Sequence, residues 1–283
     1  MMRELRASIE EISSVQVSAR PIALFRIGIV ALLWNRYGAM NGMFGADSDA
    51  ELFLSLMFFG TTALVLVGFK TRLAAAFLFA TLAMQYYVFG YGLGVHEYTH
   101  HHAYMLMLST LIIAMGPSDR AYSIDRWLAI RAAENAGKPI PDEMGPGWAF
   151  RLMTVQMAAL YFWAAVDKTS VFYLSGDWLA RVFEWGYAGH ILYPLLTLKL
   201  FLITASIIVL IVEYYLAAAV LCRLWLPVTC TIGIALHLCF ALMLNVDTYS
   251  LTMIIGYLAV IPADRIHAAI DRLQGYRPAG APA

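Results

Sequence analysis

Long apolar stretches, separated by short polar breaks, occupy most of the chain. They cover residues 20–37, 51–68, 73–90, 102–116, 148–167, 200–222, 225–243 and 248–262. An α-helix needs about 20 predominantly apolar residues to cross the hydrocarbon core of a bilayer. The pattern therefore predicts an all-α fold, a polytopic membrane helix bundle of about eight transmembrane helices.

The breaks between the stretches predict how the chain is organised. Residues 117–147, rich in proline and glycine, predict a long loop, and the aromatic segment 169–199 is expected to fold back over the bundle. Ile9, Ile12 and Val15 recur at helical spacing, which predicts a short surface helix. The chain is accordingly divided into an amphipathic cytoplasmic segment at 1–19, a transmembrane domain at 20–262 and a cytoplasmic tail at 263–283.

The distribution of lysine and arginine predicts the orientation of the bundle. With eight spans, most of the 19 basic residues fall on the face that holds both termini, whereas the opposite face holds Arg36, Lys168, Arg181 and Lys199. Basic residues concentrate on the cytoplasmic side of membrane proteins. Both termini are therefore expected in the cytoplasm of a bacterial cell, with the protein integral to the inner membrane.

Composition excludes several classes of function. Hydrophobic residues make up 61% and charged residues 13% of the 283 residues, against roughly 45–50% and about 25% in soluble domains, so a soluble enzyme is excluded. The formal net charge of zero provides no basic field for nucleic acid. The cysteines, Cys222, Cys230 and Cys239, lie in apolar stretches and are interpreted as packing residues.

Ionisable residues inside the apolar stretches are the first candidates for function, because a charge at membrane depth costs at least about 2.5–3.5 kcal/mol unless it faces protein or water. They are Arg26, Asp167, Lys168, Glu213 and His237. Structural interpretations stay open for each. Arg26 and Glu213 are candidates for a buried ion pair, Lys168 for a lysine that extends to the headgroups, and His237 for a core histidine.

A histidine-rich segment precedes the fourth stretch. Its sequence His96-Glu97-Tyr98-Thr99-His100 matches the pattern of zinc proteases, in which two histidines on one face of a helix bind zinc. Here the pattern follows three glycines and straddles a predicted loop. The same histidines resemble one of the three histidine boxes of membrane di-iron desaturases, but seven histidines in all are too few for three boxes. No metal is therefore expected.

Three segments together resemble the vitamin K-dependent gamma-carboxylase. They are His102-Ala103-Tyr104 leading to Tyr122-Ser123-Ile124-Asp125, then Gln156 with Tyr161-Phe162-Trp163-Ala164-Ala165-Val166-Asp167-Lys168 and Gly176, and finally His237 with Tyr249-Ser250-Leu251-Thr252-Met253. Arg26 and the turn at 68–72 also suit the wider family of horizontally transferred transmembrane (HTTM), carboxylase-like proteins. The similarity covers most of the chain in the same order.

The resemblance implies a chemistry. In that family a neutral lysine removes a proton from a reduced naphthoquinone, O2 adds to the ring, and an epoxide forms together with a strong base. By position Lys168 would be the base and His102 the residue that orients it or hydrogen-bonds the hydroquinone, on the non-cytoplasmic side. The resemblance also places His101, Tyr104, Tyr161, Trp163 and His237 against the substrate, a lipophilic hydroquinone held in the bilayer, without a metal.

The chain departs from that family at two points. The residue before the catalytic lysine is a lysine in the carboxylase, whereas here it is Asp167, and a nearby carboxylate would hold Lys168 in its charged form. The carboxylase also continues into a lumenal portion that binds its protein substrate, and this chain ends about twenty residues after its last stretch. Protein carboxylation is therefore less expected than oxygenation of the hydroquinone.

Three hypotheses for the function follow. The first is a membrane enzyme that oxygenates or epoxidises a lipophilic hydroquinone with O2. The second is a carboxylase-type lyase acting on a small substrate or on one presented by a partner protein. The third is a quinone or lipid carrier without catalysis.

Overall fold

The computed structural model describes residues 15–40, 48–244 and 246–275, with the side chain of His101 also outside the description. Helices joined by turns and loops make up the described chain, together with two short strands, β1 (Gln16–Ser18) and β2 (Met144–Pro146). It divides into two compact units, one made of residues 1–153 with 255–283 and the other of residues 154–254.

The first unit contains the N-terminal helices. In chain order these are α1 (Arg20–Tyr37), α2 (Asp49–Val67), α3 (Thr71–Gln85), a π-helical turn (Tyr86–Gly92), α4 (His96–Thr99), α5 (His101–Met115), α6 (Ile124–Asn135) and the start of α7 (Trp148–Lys168). Strands β1 and β2 pair antiparallel, with Val17 opposite Gly145. The strands tie the approach to α1 to the residues that precede α7.

The second unit contains the rest of α7 and the helices that follow it. These are α8 (Val171–Leu174), α9 (Asp177–Tyr187), α10 (Tyr193–Leu196), α11 (Lys199–Cys222), α12 (Leu226–Leu244) and the first part of α13 (Asp247–Val260). The chain ends its described part with α14 (Ala263–Leu273). Leu179, Phe183, Leu196 and Leu202 form a hydrophobic cluster that packs α9 and α10 against the start of α11.

The helical, membrane-type fold predicted from the apolar stretches is confirmed. In the described residues, helices α2, α7, α11 and α12, and α3 with its π-helical turn, are long and apolar enough to span a membrane. The bent pair α13 and α14, whose axes differ by 97°, would bring the number to six. Helices α1 and α5 are not counted, because α1 carries three arginines and α5 has 15 residues. The count of eight spans and the cytoplasmic termini stay predictions.

Two local predictions differ from the structure. Residues 117–147 are not one loop, because helix α6 and strand β2 lie within them. Ser123 caps α6, its hydroxyl accepting a hydrogen bond from the Arg126 amide. Near the N-terminus, Val15 leads into strand β1 rather than a helix, and Ile9 and Ile12 lie outside the described residues, as do residues 276–283 of the tail.

A polar junction in the first unit fixes the turn between α2 and α3. The Asp125 carboxylate accepts hydrogen bonds from the Lys70 and Thr71 amides at 2.8 Å each and from the Thr71 hydroxyl at 2.7 Å. It thereby caps the N-terminus of α3, where amides lack helical partners. Gly68 has φ +70°, and a Cβ there would lie 2.4 Å from the Ser123 Cβ. The turn therefore requires glycine.

Candidate functional site

Lys168 and Glu213 form an ion pair in the second unit. Lys168 is the last residue of α7, and its Nζ lies 2.9 Å from Glu213 Oε1 on α11. The Glu213 side chain is 3% exposed and the Lys168 side chain 21% exposed. Glu213 is therefore buried with its counter-charge, whereas Lys168 keeps some access to its surroundings.

The ion pair lies far from either end of α11. Glu213 is 14 residues after Lys199 and 9 residues before Cys222, which places it about 21 Å and about 13 Å along the axis from those ends. Lys168 thus directs its ammonium group to a buried carboxylate near the middle of an apolar helix. The Lys168 side chain therefore does not follow the hypothesis that it extends to the headgroups.

Tyr161 and His237 form a second polar pair in the same unit. The Tyr161 hydroxyl and His237 Nε2 are 2.8 Å apart and buried. Tyr161 precedes Lys168 by seven residues on α7, a spacing that places both on one helix face. His237 lies near the middle of α12, where its ring contacts Phe240 and Tyr249 at centroid distances of 5.9 and 5.7 Å.

The two pairs have unused hydrogen-bonding capacity. Among the described residues, Glu213 Oε2 and His237 Nδ1 are buried without a hydrogen-bond partner. The Lys168 Nζ also lies 6.0 Å from the centre of the Tyr173 ring on α8. A buried acceptor, a buried imidazole nitrogen and an amine in one unit are the groups that a ligand with hydroxyl or carbonyl oxygens would need.

Among the described residues, Asp167 does not form an ion pair with Lys168. Asp167 is exposed and makes no ion pair among the described residues. Adjacent helical residues point about 100° apart, so Asp167 lies on another face of α7. The carboxylate near Lys168 is Glu213 instead. Trp163, expected against the substrate, is 62% exposed on the surface of α7.

His102 belongs to the first unit. It lies in the first turn of α5, buried, with its ring stacked on that of His100 at 4.4 Å. Tyr104 is exposed, and the side chain of His101 lies outside the described residues. The expectation that His102 and Lys168 share one site stays a prediction, as do the roles of His101 and Tyr104.

The zinc-protease pattern does not lie on a continuous helix. Helix α4 ends at Thr99, and His100 has φ −66° and ψ 149°, which is extended backbone. His96 and His100 are therefore not one turn apart on a helix face, as that chemistry requires.

The hypothesis that Arg26 and Glu213 pair with each other is wrong. The Arg26 guanidinium donates to the carbonyl oxygens of Ser118, at 2.8 Å, and Tyr122, at 2.5 Å. Glu213 is paired with Lys168. Arg26 thus belongs to the polar junction of the first unit, where it donates hydrogen bonds to two carbonyl oxygens of the segment between α5 and α6.

Sequence reasoning did not identify the partner of Lys168 or the aromatic ring beside it. Lys168 and Glu213 are 45 residues apart, so no local spacing connects them. Both are ionisable residues in apolar stretches, and that signal alone places them among candidates. Tyr173 carried no signal, because it lies in a segment rich in aromatic residues.

The comparisons with known proteins give one match. A family model described as HTTM domain matches residues 36–264. No curated protein and no solved structure matches the chain.

Proposed function

The chain belongs to the HTTM domain family, and we propose that it is a membrane enzyme that oxygenates a lipophilic hydroquinone with O2, with Lys168 as the base. The observation that supports the proposal is the Lys168–Glu213 ion pair, buried near the middle of an apolar helix. Ionisable residues at such depth are costly for a membrane protein and are usually functional.

The pair offers Lys168 a way to become a base. Transfer of one proton along the 2.9 Å hydrogen bond from Nζ to Oε1 converts the ammonium and carboxylate into a neutral amine and a neutral carboxylic acid. The transfer changes no net charge, so a medium of low dielectric favours it relative to separated charges. The neutral amine can then accept the proton of a hydroquinone O–H in place of the hydrogen bond from Glu213.

The reaction balances without a metal. Lys168 takes one hydroxyl proton and leaves the hydroquinone as an anion, whose electron-rich ring reacts with O2. One oxygen atom remains on the ring as the epoxide and the other leaves as water, so the hydroquinone and O2 together give the epoxyquinone and water. The hydroquinone supplies both electrons that reduce the second oxygen atom.

Tyr161 and His237 are proposed to bind the oxygens of the hydroquinone. Their 2.8 Å hydrogen bond fixes the ring of His237, and its Nδ1 has no partner among the described residues. A buried imidazole held in one orientation discriminates a ligand that can hydrogen-bond to it from one that cannot. Glu213 acts through Lys168 and is a positioning residue.

The test uses the purified full-length protein in detergent or lipid. Reduced menaquinone-type compounds and O2 are supplied, oxygen uptake is recorded and products are identified by mass spectrometry. The informative variant is the double change Lys168→Met with Glu213→Gln, which removes both charges of the pair together. Asp167→Asn is the matched control, because Asp167 adjoins Lys168 but is exposed.

We expect epoxyquinone from the wild type and from Asp167→Asn, and loss of turnover in the folded double variant. Full turnover in that variant would disprove the role of Lys168. Incorporation of labelled bicarbonate would favour the carboxylase hypothesis. Hydroquinone binding without oxygen uptake would favour a carrier.

A further inference from the structure

Helix α9 lies across the ends of two membrane-type helices. At its N-terminus, Asp177 Oδ1 pairs with Lys199 Nζ at 2.7 Å, and Lys199 is the first residue of α11. At its C-terminus, the Tyr187 hydroxyl donates to the carbonyl of Leu242 at 3.4 Å, near the end of α12. Both contacts involve the same end of the α11–α12 hairpin. A helix fixed in this way crosses the two axes.

The contact of α9 with α11 is close. A Cβ on Gly176, the residue that precedes α9, would lie 2.6 Å from the Leu202 Cβ and 2.9 Å from its carbonyl carbon. Gly176 also has φ +79°. Leu179 and Phe183 of α9 bury their side chains against Leu202. The position of α9 on the first turn of α11 is therefore determined by packing.

The distance between α9 and the turn at the opposite end of the hairpin matches the thickness of the hydrocarbon core of a bilayer. Cys222 follows Leu202 by 20 positions on α11, and Leu242 follows Leu226 by 16 positions on α12. At 1.5 Å per residue these lengths are about 30 Å and about 24 Å. The hydrocarbon core is about 30 Å thick. The turn at 223–225 and helix α9 are thus one hydrocarbon thickness apart.

Both levels carry exposed tryptophan beside charge. Trp185 on α9 is 84% exposed and Trp225 in the turn is 77% exposed. Arg181 and Glu184 share the exposed face of α9 with Trp185, and Arg223 adjoins Trp225. Tryptophan and arginine together are typical of the lipid headgroup level.

We infer that α9 lies in the lipid–water interface, parallel to the membrane plane, and that its exposed face contacts phospholipid headgroups. Its buried face, with Leu179 and Phe183, packs on the helix bundle of its own unit. The charges on its exposed face, Arg181 and Glu184, cancel, so the contact does not require anionic lipid.

The experiment measures the depth of single tryptophans. Full-length protein labelled with 5-fluorotryptophan is placed in phosphatidylcholine nanodiscs, and its seven tryptophans are observed by fluorine NMR. Trp185→Phe, Trp225→Phe and Trp163→Phe identify three resonances. Nitroxide lipids labelled near the headgroup or at the chain end, and a water-soluble gadolinium chelate, then report depth by line broadening.

We expect the Trp185 and Trp225 resonances to lose intensity with the headgroup-level nitroxide more than with the chain-end nitroxide or the chelate. Trp163 is the depth control, because it is exposed on the membrane-type helix α7, and it should respond most to the chain-end nitroxide. Loss of the Trp185 resonance with the chelate alone would place α9 in water. A response to none of the probes would mean that protein covers it, and either result overturns the inference.

Discussion

Because Lys168 and Glu213 are buried to different extents, replacing Lys168 and replacing Glu213 should destabilise the protein by different amounts. The change Lys168→Met leaves the Glu213 carboxylate, 3% exposed, without its counter-charge, and breaking a buried pair in this way costs about 3–5 kcal/mol. The change Glu213→Gln leaves Lys168 without its counter-charge, but the Lys168 side chain is 21% exposed and therefore less completely buried than that of Glu213. The expected cost is about 1 kcal/mol, nearer that of an exposed pair.

The double variant should recover about half of the summed loss. Replacing both members of a buried ion pair is often close to neutral, so Lys168→Met with Glu213→Gln should be more stable than Lys168→Met alone. The expected coupling is about 2–3 kcal/mol, within the range for residues in direct contact.

The assay is unfolding of the reconstituted protein by increasing SDS, followed by tryptophan fluorescence, with Asp167→Asn as the control. That substitution leaves both members of the ion pair in place, so it should not cause the loss of stability expected for Lys168→Met. If the two single variants lost equal stability and their losses simply added in the double variant, the ion pair would not be the cause of the losses. This cost also explains why Lys168→Ala alone is a poor probe of catalysis, since it tests folding and chemistry together.

Three other changes test the fold by the same unfolding assay or by hydrogen exchange. Asp125→Ala removes the cap of α3 and should cost about 1–2 kcal/mol. Gly68→Ala places a side chain at φ +70° in contact with its neighbours and should cost at least about 1 kcal/mol, whereas Gly60→Ala, with open space around it, should be neutral or stabilising. The hydrogen bond from Lys199 holds the pKa of Asp177 below its usual value, so the Asp177–Lys199 ion pair is complete above about pH 4 and is lost as the pH falls through the lowered pKa. Hydrogen exchange in α9 should rise in that pH range. The variant Asp177→Asn should abolish this pH dependence.

The sequence predicts the helices well where the apolar pattern alone decides the structure. The predicted stretches at 148–167 and 200–222 correspond to α7 (Trp148–Lys168) and α11 (Lys199–Cys222). Helix α6 was missed because its sequence, Ile124–Asn135, is neither apolar nor strongly periodic, and a proline-containing segment follows it. Asp125 in its first turn caps α3, and these contacts connect residues about 55 positions apart.

At the candidate site, the sequence predicts the residues but not their contacts. Each ionisable residue was identified from the sequence, because a charge in an apolar stretch is conspicuous. The pairing of Lys168 with Glu213 was not identified from the sequence, because it depends on which helices are neighbours and on how each helix is rotated about its axis. Arg26 and Glu213 looked complementary by charge, yet Arg26 binds two carbonyl oxygens and Glu213 binds Lys168.

The depth of the ion pair constrains any substrate of Lys168. Glu213 lies 11 residues beyond Leu202 along α11, which is about 16 Å from the level of α9. If α9 lies at the headgroups, a substrate must bring its reacting hydroxyl to about half the depth of the hydrocarbon core. A charged or strongly polar molecule would lose its hydration on the way. A hydroquinone with an apolar side chain dissolves in the lipid phase, so turnover should follow the concentration of hydroquinone in the lipid rather than its concentration in the total volume.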